Sequence, residues 1–313
     1  MQSLFSLGPS TTSTALAPRK MRKSKTSVRD LGLFGRFWGQ FYHHFHLFGV
    51  KIHFSVAALL LFSILNVSCH KYLINQLNWP DVLDTSRAAG FCVGFFHTAT
   101  LLPAVFEWAV LIGWPNLDIT GQWKSLAERN CLSTIMRFSL GYFYYDTLYN
   151  LIFVRFILYN QMTKAEWLFL AHHVITIVNL SIALSQPKGE QYQFYTWCML
   201  FAEVTNPLDN VMAFTNKGME LSPGPFLEVL NYHVETVLSV VYLLNRGFIL
   251  PLALGPYTTY GLWVGRDGKR IFNSILGGVS MWIIILGGIP WVLHCYKVVA
   301  ERMVGEVSVD KDL

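Results

Sequence analysis

The chain has 313 residues, of which 53% are hydrophobic, 15% aromatic and only 14% charged, with a mean hydropathy of +0.38. Soluble domains carry about 25% charged residues, so the composition excludes an ordinary globular cytosolic enzyme. The net charge of +5 is concentrated near the N-terminus, which points to orientation in a membrane and away from nucleic acid.

Residues 1–29 contain no acid, are rich in Ser and Thr, and carry a basic cluster from Arg19 to Arg29. Residues 1–32 read as a disordered tail held at an anionic surface, or as an organelle transit peptide of the same composition. No apolar stretch of signal-peptide type precedes the basic cluster. Residues 33–84 combine an aromatic segment with cations, suited to the headgroup region, and a first membrane helix over about 54–69. His43, His44 and His46 lie in that segment without a carboxylate or Cys beside them, so metal binding is not expected there. The five cysteines are scattered, with no CxxC spacing, and predict neither a disulfide framework nor a zinc site.

Apolar windows long enough to cross a hydrocarbon core of about 30 Å predict further spans at 88–113, 135–157, 166–185, 191–214 and 274–296. Pro225 to Val264 is one long apolar stretch interrupted by Pro251, Gly255 and Pro256. It reads as one kinked helix or as a helix with a re-entrant piece, and is counted as one span. The fold class is therefore all-α, a polytopic transmembrane bundle of about seven spans, six or so enclosing a polar, lipid-accessible cavity. A C-terminal tail follows at 299–313. With seven spans the N-terminal tail and the loops at 114–134, 186–190 and 265–273 share the more basic side, which the positive-inside rule assigns to the cytosol. That side includes Lys124, Arg129, Arg266, Lys269 and Arg270. The C-terminal tail then faces the other way, although it carries cations.

The spans hold polar residues that cost about 2.5–3.5 kcal/mol each at mid-membrane when ionisable. They fall into stripes at helical spacing. His172, Thr176 and Asn179 share a face of the fourth span, with His173 about 100° away. Tyr142, Asp146 and Tyr149 share a face of the third. Glu203, Asn206 and Asn210 line the fifth, with Asp209 beside them. Asn231, Glu235, Tyr242 and Arg246 follow in the long segment, and His97, Thr100 and Ala104 in the second span. Hydrogen bonding between helices accounts for Thr176, Thr100, Asn206 and Asn231. It does not account for His172, Asp146, Glu203, Glu235 and Arg246 together, and an ion pair of Arg246 with Glu203 or Asp146 is expected. Adjacent histidines on a helix cannot chelate one metal ion, and no HxxxH or HxxHH box occurs. Acid–base chemistry or transient acylation of an imidazole fits the pair better.

Three runs resemble one family. They are Gly141-Tyr142-Phe143-Tyr144-Tyr145-Asp146, His172-His173-Val174-Ile175-Thr176 and Ala202-Glu203-Val204-Thr205-Asn206-Pro207, with Arg246 in a following span. Their order is similar to the TLC-domain family, over roughly residues 85–298. The resemblance implies a helical domain with a lipid-accessible cavity, usually in the endoplasmic reticulum. It implies membrane lipids as partners, a sphingoid base and acyl-CoA among them, with no nucleic acid and no bound cofactor. The family's ceramide synthases, N-acyltransferases that use acyl-CoA, have paired catalytic histidines. This carries a catalytic role to His172 and His173, tuned by Asp146 or Glu203. Tyr142, Thr176, Asn179, Asn206, Asp209, Glu235, Arg246 and His97 are the residues expected to meet the substrate. The chain departs from the ceramide synthases at 201–210, where no histidine–aspartate motif follows, and is closer to the broader TLC-domain members. Two functions stay open, acyl transfer to a lipid amine or hydroxyl, and non-enzymatic lipid binding that sets membrane composition. A transporter or receptor lacks support, since no inverted repeat or gating motif is present.

Overall fold

The structure, a computed structural model, describes residues 33–39, 45–47, 50–112, 126–157, 161–185, 200–264 and 271–304. The N-terminal tail, His43 and His44, the 186–190 loop and the cations Lys124, Arg266, Lys269 and Arg270 lie outside the described residues. A short helix α1 (Leu33–Gly39) precedes a small antiparallel hairpin of β1 (Phe45–Leu47) and β2 (Val50–Ile52), in which Phe45 pairs with Ile52. All remaining regular structure among the described residues is helical.

The bundle comprises α2 (Phe54–Leu77), α3 (Leu83–Ile112), α4 (Leu126–Leu148), α5 (Lys164–Ser185), α6 (Asn206–Leu221), α7 (Pro225–Tyr242), α8 (Gly255–Val264), α9 (Ile271–Gly287) and α10 (Ile289–Val304). The helices α2, α3 and α5 are rich in apolar residues on most of their surface, as membrane-crossing helices are. Five stretches are long and apolar enough to cross a membrane: Phe54–Leu77, Leu83–Glu107, Glu166–Ser185, Pro225–Trp263 and Ser274–Val304. The other two expected spans are 135–157, which holds most of α4, and 191–214, of which 191–199 lie outside the described residues and 206–214 open α6. Arg137, Asp146 and Arg155 lower the apolarity of the α4 stretch, and α6 has only 16 residues.

Several boundaries shift outward from the hydropathy windows. Helix α4 begins at Leu126, although its first turns are polar, because Leu, Ala, Glu and Arg are good helix formers. Helix α6 runs to Leu221, seven residues beyond the expected end, and its polar last turns are held by ion pairs. Lys217 Nζ lies 3.5 Å from Asp84 Oδ1 at the start of α3. The helix α10 continues to Val304, so residues 299–304 of the expected tail are helical. Arg302 Nη2 there bonds Glu235 Oε2 of α7 at 3.2 Å.

The long apolar stretch is one unbroken helical path. Between α7 and α8 the residues Leu243–Leu254 wind as a π-helix around Pro251. Proline lacks an N–H and crowds the carbonyl four residues back, which a wider turn relieves. The 39 residues from Pro225 to Trp263 span about 58 Å at 1.5 Å per residue, nearly twice the hydrocarbon thickness. They pair with α9 and α10 as an antiparallel hairpin, and Trp282 Nε1 donates to Thr259 Oγ1 at 3.0 Å.

In space the helices close a ring in the order α5, α4, α2, α3, α6, α7, α10 and α9, with α9 returning to α5. The main core lies where α2, α3 and α4 meet, around Phe62, Leu101, Met136 and Phe143. Gly141 permits that approach. A Cβ at Gly141 would lie 2.5 Å from Ala58 Cβ and 2.6 Å from Ser55 O, so α2 and α4 touch there backbone to backbone.

Candidate functional site

The orientation of α5 is set at its first turn. Thr163 and Glu166 form a reciprocal capping box, with Thr163 N donating to Glu166 Oε2 at 2.6 Å and Glu166 N to Thr163 Oγ1 at 3.2 Å. Arg87 Nη2 of α3 then holds Glu166 Oε1 at 2.7 Å. Successive residues of an α-helix point about 100° apart, so a helix fixed in rotation sends His172 and His173 to different neighbours.

His172 Nε2 lies 3.9 Å from Glu203 Oε1. That is ion-pair range but too long for a direct hydrogen bond. With Thr176, Asn179, Leu180, Leu200, Glu203 and Ile284, His172 lines a recess between α5, α9 and the entry to α6. The recess is narrow, with room for about one water-sized group behind an open mouth. Its polar lining is uneven. Thr176 Oγ1 donates to His172 O at 2.9 Å and Asn179 Nδ2 to Ile175 O at 2.9 Å, so both side chains bond their own helix.

Glu203 sits on a 3₁₀ turn, Phe201–Thr205, that leads into α6. Pro207 follows in the first turn of α6, where its missing N–H costs nothing. Two consecutive residues of the π-helix grip this turn. Asn245 Nδ2 donates to Phe201 O at 3.0 Å and Arg246 Nη2 to Ala202 O at 2.8 Å. Asn206 Nδ2 donates to Glu203 Oε2 at 2.5 Å. The other carboxylate oxygen is thereby left to face His172.

His173 points the opposite way, into α4. Its Nδ1 is 2.9 Å from Asp146 Oδ2, but the approach is not that of an aligned hydrogen bond. Asn150 Nδ2 donates to the same Asp146 oxygen at 2.9 Å. The ring packs on Phe169 (centroids 4.3 Å) and edge-on to Phe143 (4.9 Å). Behind it, His97 lies flat on Tyr142 with centroids 4.0 Å apart and planes 6° from parallel. His97 Nε2 lies 3.1 Å from Ser139 Oγ. His97 and Tyr142 thus form a packed wall between α3 and α4.

The structure therefore gathers His172, Thr176, Asn179 and Glu203 around one recess, with Asn206 and Arg246 supporting it. His173, Asp146, Tyr142 and His97 form an adjoining layer. Arg246 corrects the expected ion pair. Neither Glu203 nor Asp146 is within ion-pair distance of it, because its guanidinium is turned to the Ala202 carbonyl and lies 5.8 Å over the Tyr242 ring. It remains the cation facing Glu203 and Asp209 at longer range. Glu235 stands elsewhere, bonded to Arg302, whose guanidinium stacks 3.7 Å over Tyr232.

Sequence reasoning missed Asn245, Leu180, Leu200 and Ile284. Asn245 had a signal, a buried amide next to Arg246 in an apolar run. Asn150 is readable beside the Asp146 stripe, one helical turn on, and the structure adds its bond to the carboxylate. Leu180, Leu200 and Ile284 are apolar residues among many, and only the packing singles them out.

The TLC domain family profile matches residues 86–299, from the start of α3 to the last turns of α10, and includes both histidines. No curated protein and no solved structure matches the chain. A match over more than half of the chain is decisive for the family, and the apolar helices make the protein an integral, multi-pass membrane protein. The chain belongs to the TLC-domain family, and its work lies, in general terms, in membrane lipid metabolism or homeostasis.

Proposed function

We propose that the protein transfers a fatty acyl group from acyl-CoA to the amine or hydroxyl of a membrane lipid, sphingoid-like in kind, in the endoplasmic reticulum. The observation that carries this reading is the divergence of the histidine pair, each ring facing a carboxylate from a different element, with only His172 on an open recess. His172 Nε2 takes the proton of the attacking group as the new C–N or C–O bond forms. The thioester C–S bond breaks, and the proton passes to the departing thiolate. Glu203 stabilises the imidazolium that forms in between. A transient acyl-imidazole on His172 is the covalent version of the same chemistry. General base catalysis of this kind contributes about 10²–10⁴-fold. His173, clamped by Asp146, orients the helix face that presents His172.

The narrow recess and the lack of a histidine in 201–210 favour a second reading. In it the same residues bind a lipid without turnover and so adjust membrane composition. Purified protein in nanodiscs, given acyl-CoA and a panel of lipid amines and alcohols, separates the two. Acyl transfer is expected from the wild type, with His172→Ala at least about 100-fold slower at an unchanged unfolding midpoint. Equal transfer by both proteins sinks the catalytic role of His172. Lipid binding by the wild type without transfer from any donor selects the second reading.

A further inference from the structure

The cysteines follow no motif, yet the fold brings two of them together. Helices α2 and α3 run antiparallel on either side of a tight turn, where Asn78 takes a left-handed φ of 55°. Their register is fixed at two points. Phe62 meets Phe96 and His97, with ring centroids 6.4 and 5.8 Å apart, and Leu73 packs with Ala88 and Ala89. Between these points Cys69 of α2, which packs on the Leu73, Ala88 and Ala89 cluster, falls opposite Cys92 of α3, close enough for each thiol to influence the other. The helices lie close here, since a Cβ at Gly90 would be in van der Waals contact, 3.9 Å, with Asn66 Nδ2. Close approach is the condition for a disulfide, whose Cα atoms are about 4.4–6.8 Å apart. Both thiols are free and half-buried, whereas Cys131 and Cys295 are buried. The pair also sits at the edge of the apolar zone, beside His70 and Lys71 on one helix and a little more than one turn past Arg87 on the other.

We infer that Cys69 and Cys92 form a reversible disulfide across α2 and α3, made at the expense of an organic hydroperoxide such as an oxidised lipid acyl chain. The thiolate of one cysteine attacks the outer peroxide oxygen. The O–O bond breaks, giving a sulfenic acid and the alcohol. The second thiol then attacks the sulfenic sulfur, the S–S bond forms, and water leaves. Two thiols lose two electrons and two protons, and the hydroperoxide becomes alcohol and water. The bond would reach the candidate site through one contact. Asn66, a turn before Cys69, donates to Tyr145 OH at 2.7 Å, and Tyr145 adjoins Asp146.

The full chain in nanodiscs, treated with cumene hydroperoxide and mapped by mass spectrometry without reduction, tests the inference. A linked Cys69–Cys92 peptide is expected, with loss of both thiols from alkylation and recovery of both after dithiothreitol. Cys69→Ser should leave Cys92 as a sulfenic acid trapped by dimedone, with no linked peptide. Persistent alkylation of both thiols after oxidant, or linkage of either to another cysteine, overturns the inference. The wild-type peptide map is sufficient for either outcome, so the test survives a variant that folds poorly.

Discussion

His172 keeps 26% of its side-chain surface and looks across a recess at Glu203, whereas His173 keeps 3% and is wedged between Asp146, Phe143 and Phe169. The difference extends beyond the two rings. The His173 side is the compact part of the ring, where α4 meets α2 backbone to backbone at Gly141. The His172 side is built from irregular pieces, a 3₁₀ turn and a π-helix joined by side-chain-to-carbonyl bonds. Adjacent identical residues thus acquire opposite work. One is held rigid by close packing, and the other meets whatever enters.

The largest test of this contrast is Asp146→Ala. It strips both His173 and Asn150 of their carboxylate partner, and each buried polar group left unsatisfied costs about 1–3 kcal/mol, so the unfolding midpoint in detergent should fall by several degrees. His172→Ala should hardly move it, since the nearest carboxylate among the described residues is 3.9 Å away. Equal stability of the two variants would erase the distinction between a structural and an exposed histidine. Next is Gly141→Ala on the compact side. Its methyl group meets backbone and Ala58 at once, and overpacking of this kind costs about 1–3 kcal/mol. Denaturant unfolding should show the loss.

On the recess side the effects are smaller and of another kind. Asn245→Ala removes one hydrogen bond to the Phe201 carbonyl, worth about 1 kcal/mol. It also loosens the turn that carries Glu203, so lipid turnover or binding should fall further than stability does. A variant that loses stability but retains function would assign Asn245 to packing alone. The smallest effect is expected from Thr176→Val. Its hydroxyl bonds only the His172 carbonyl of its own helix, so stability should change by less than about 0.5 kcal/mol. Any change should appear in ligand selectivity, read by competition between lipids of different headgroup.

Much of the fold was legible from hydropathy, because a stretch of about 20 apolar residues has few other places to go. The windows erred at ends such as Leu126, where good helix formers continue the helix, and Leu221 and Val304, where polar residues continue it by pairing with a neighbouring helix. The stripe of His172, Thr176 and Asn179 was readable from spacing alone. The partners of Arg246 were not. Opposite charges suggested an ion pair, but the wide turns around Pro251 aim the guanidinium at a carbonyl instead. Glu235 shows the same limit, since its partner Arg302 lies 67 residues away.

The sequence by itself determined that this is a multi-pass membrane protein of the TLC-domain family, with ionisable residues on the inner faces of its helices. Period and hydropathy are local properties and survive without knowledge of neighbours. Only the tertiary structure decided which carboxylate each histidine meets, that Asn245 and Arg246 hold the Glu203 turn, and that Cys69 lies against Cys92. Those facts depend on the rotation and register of one helix against another, and packing of the closed ring sets both.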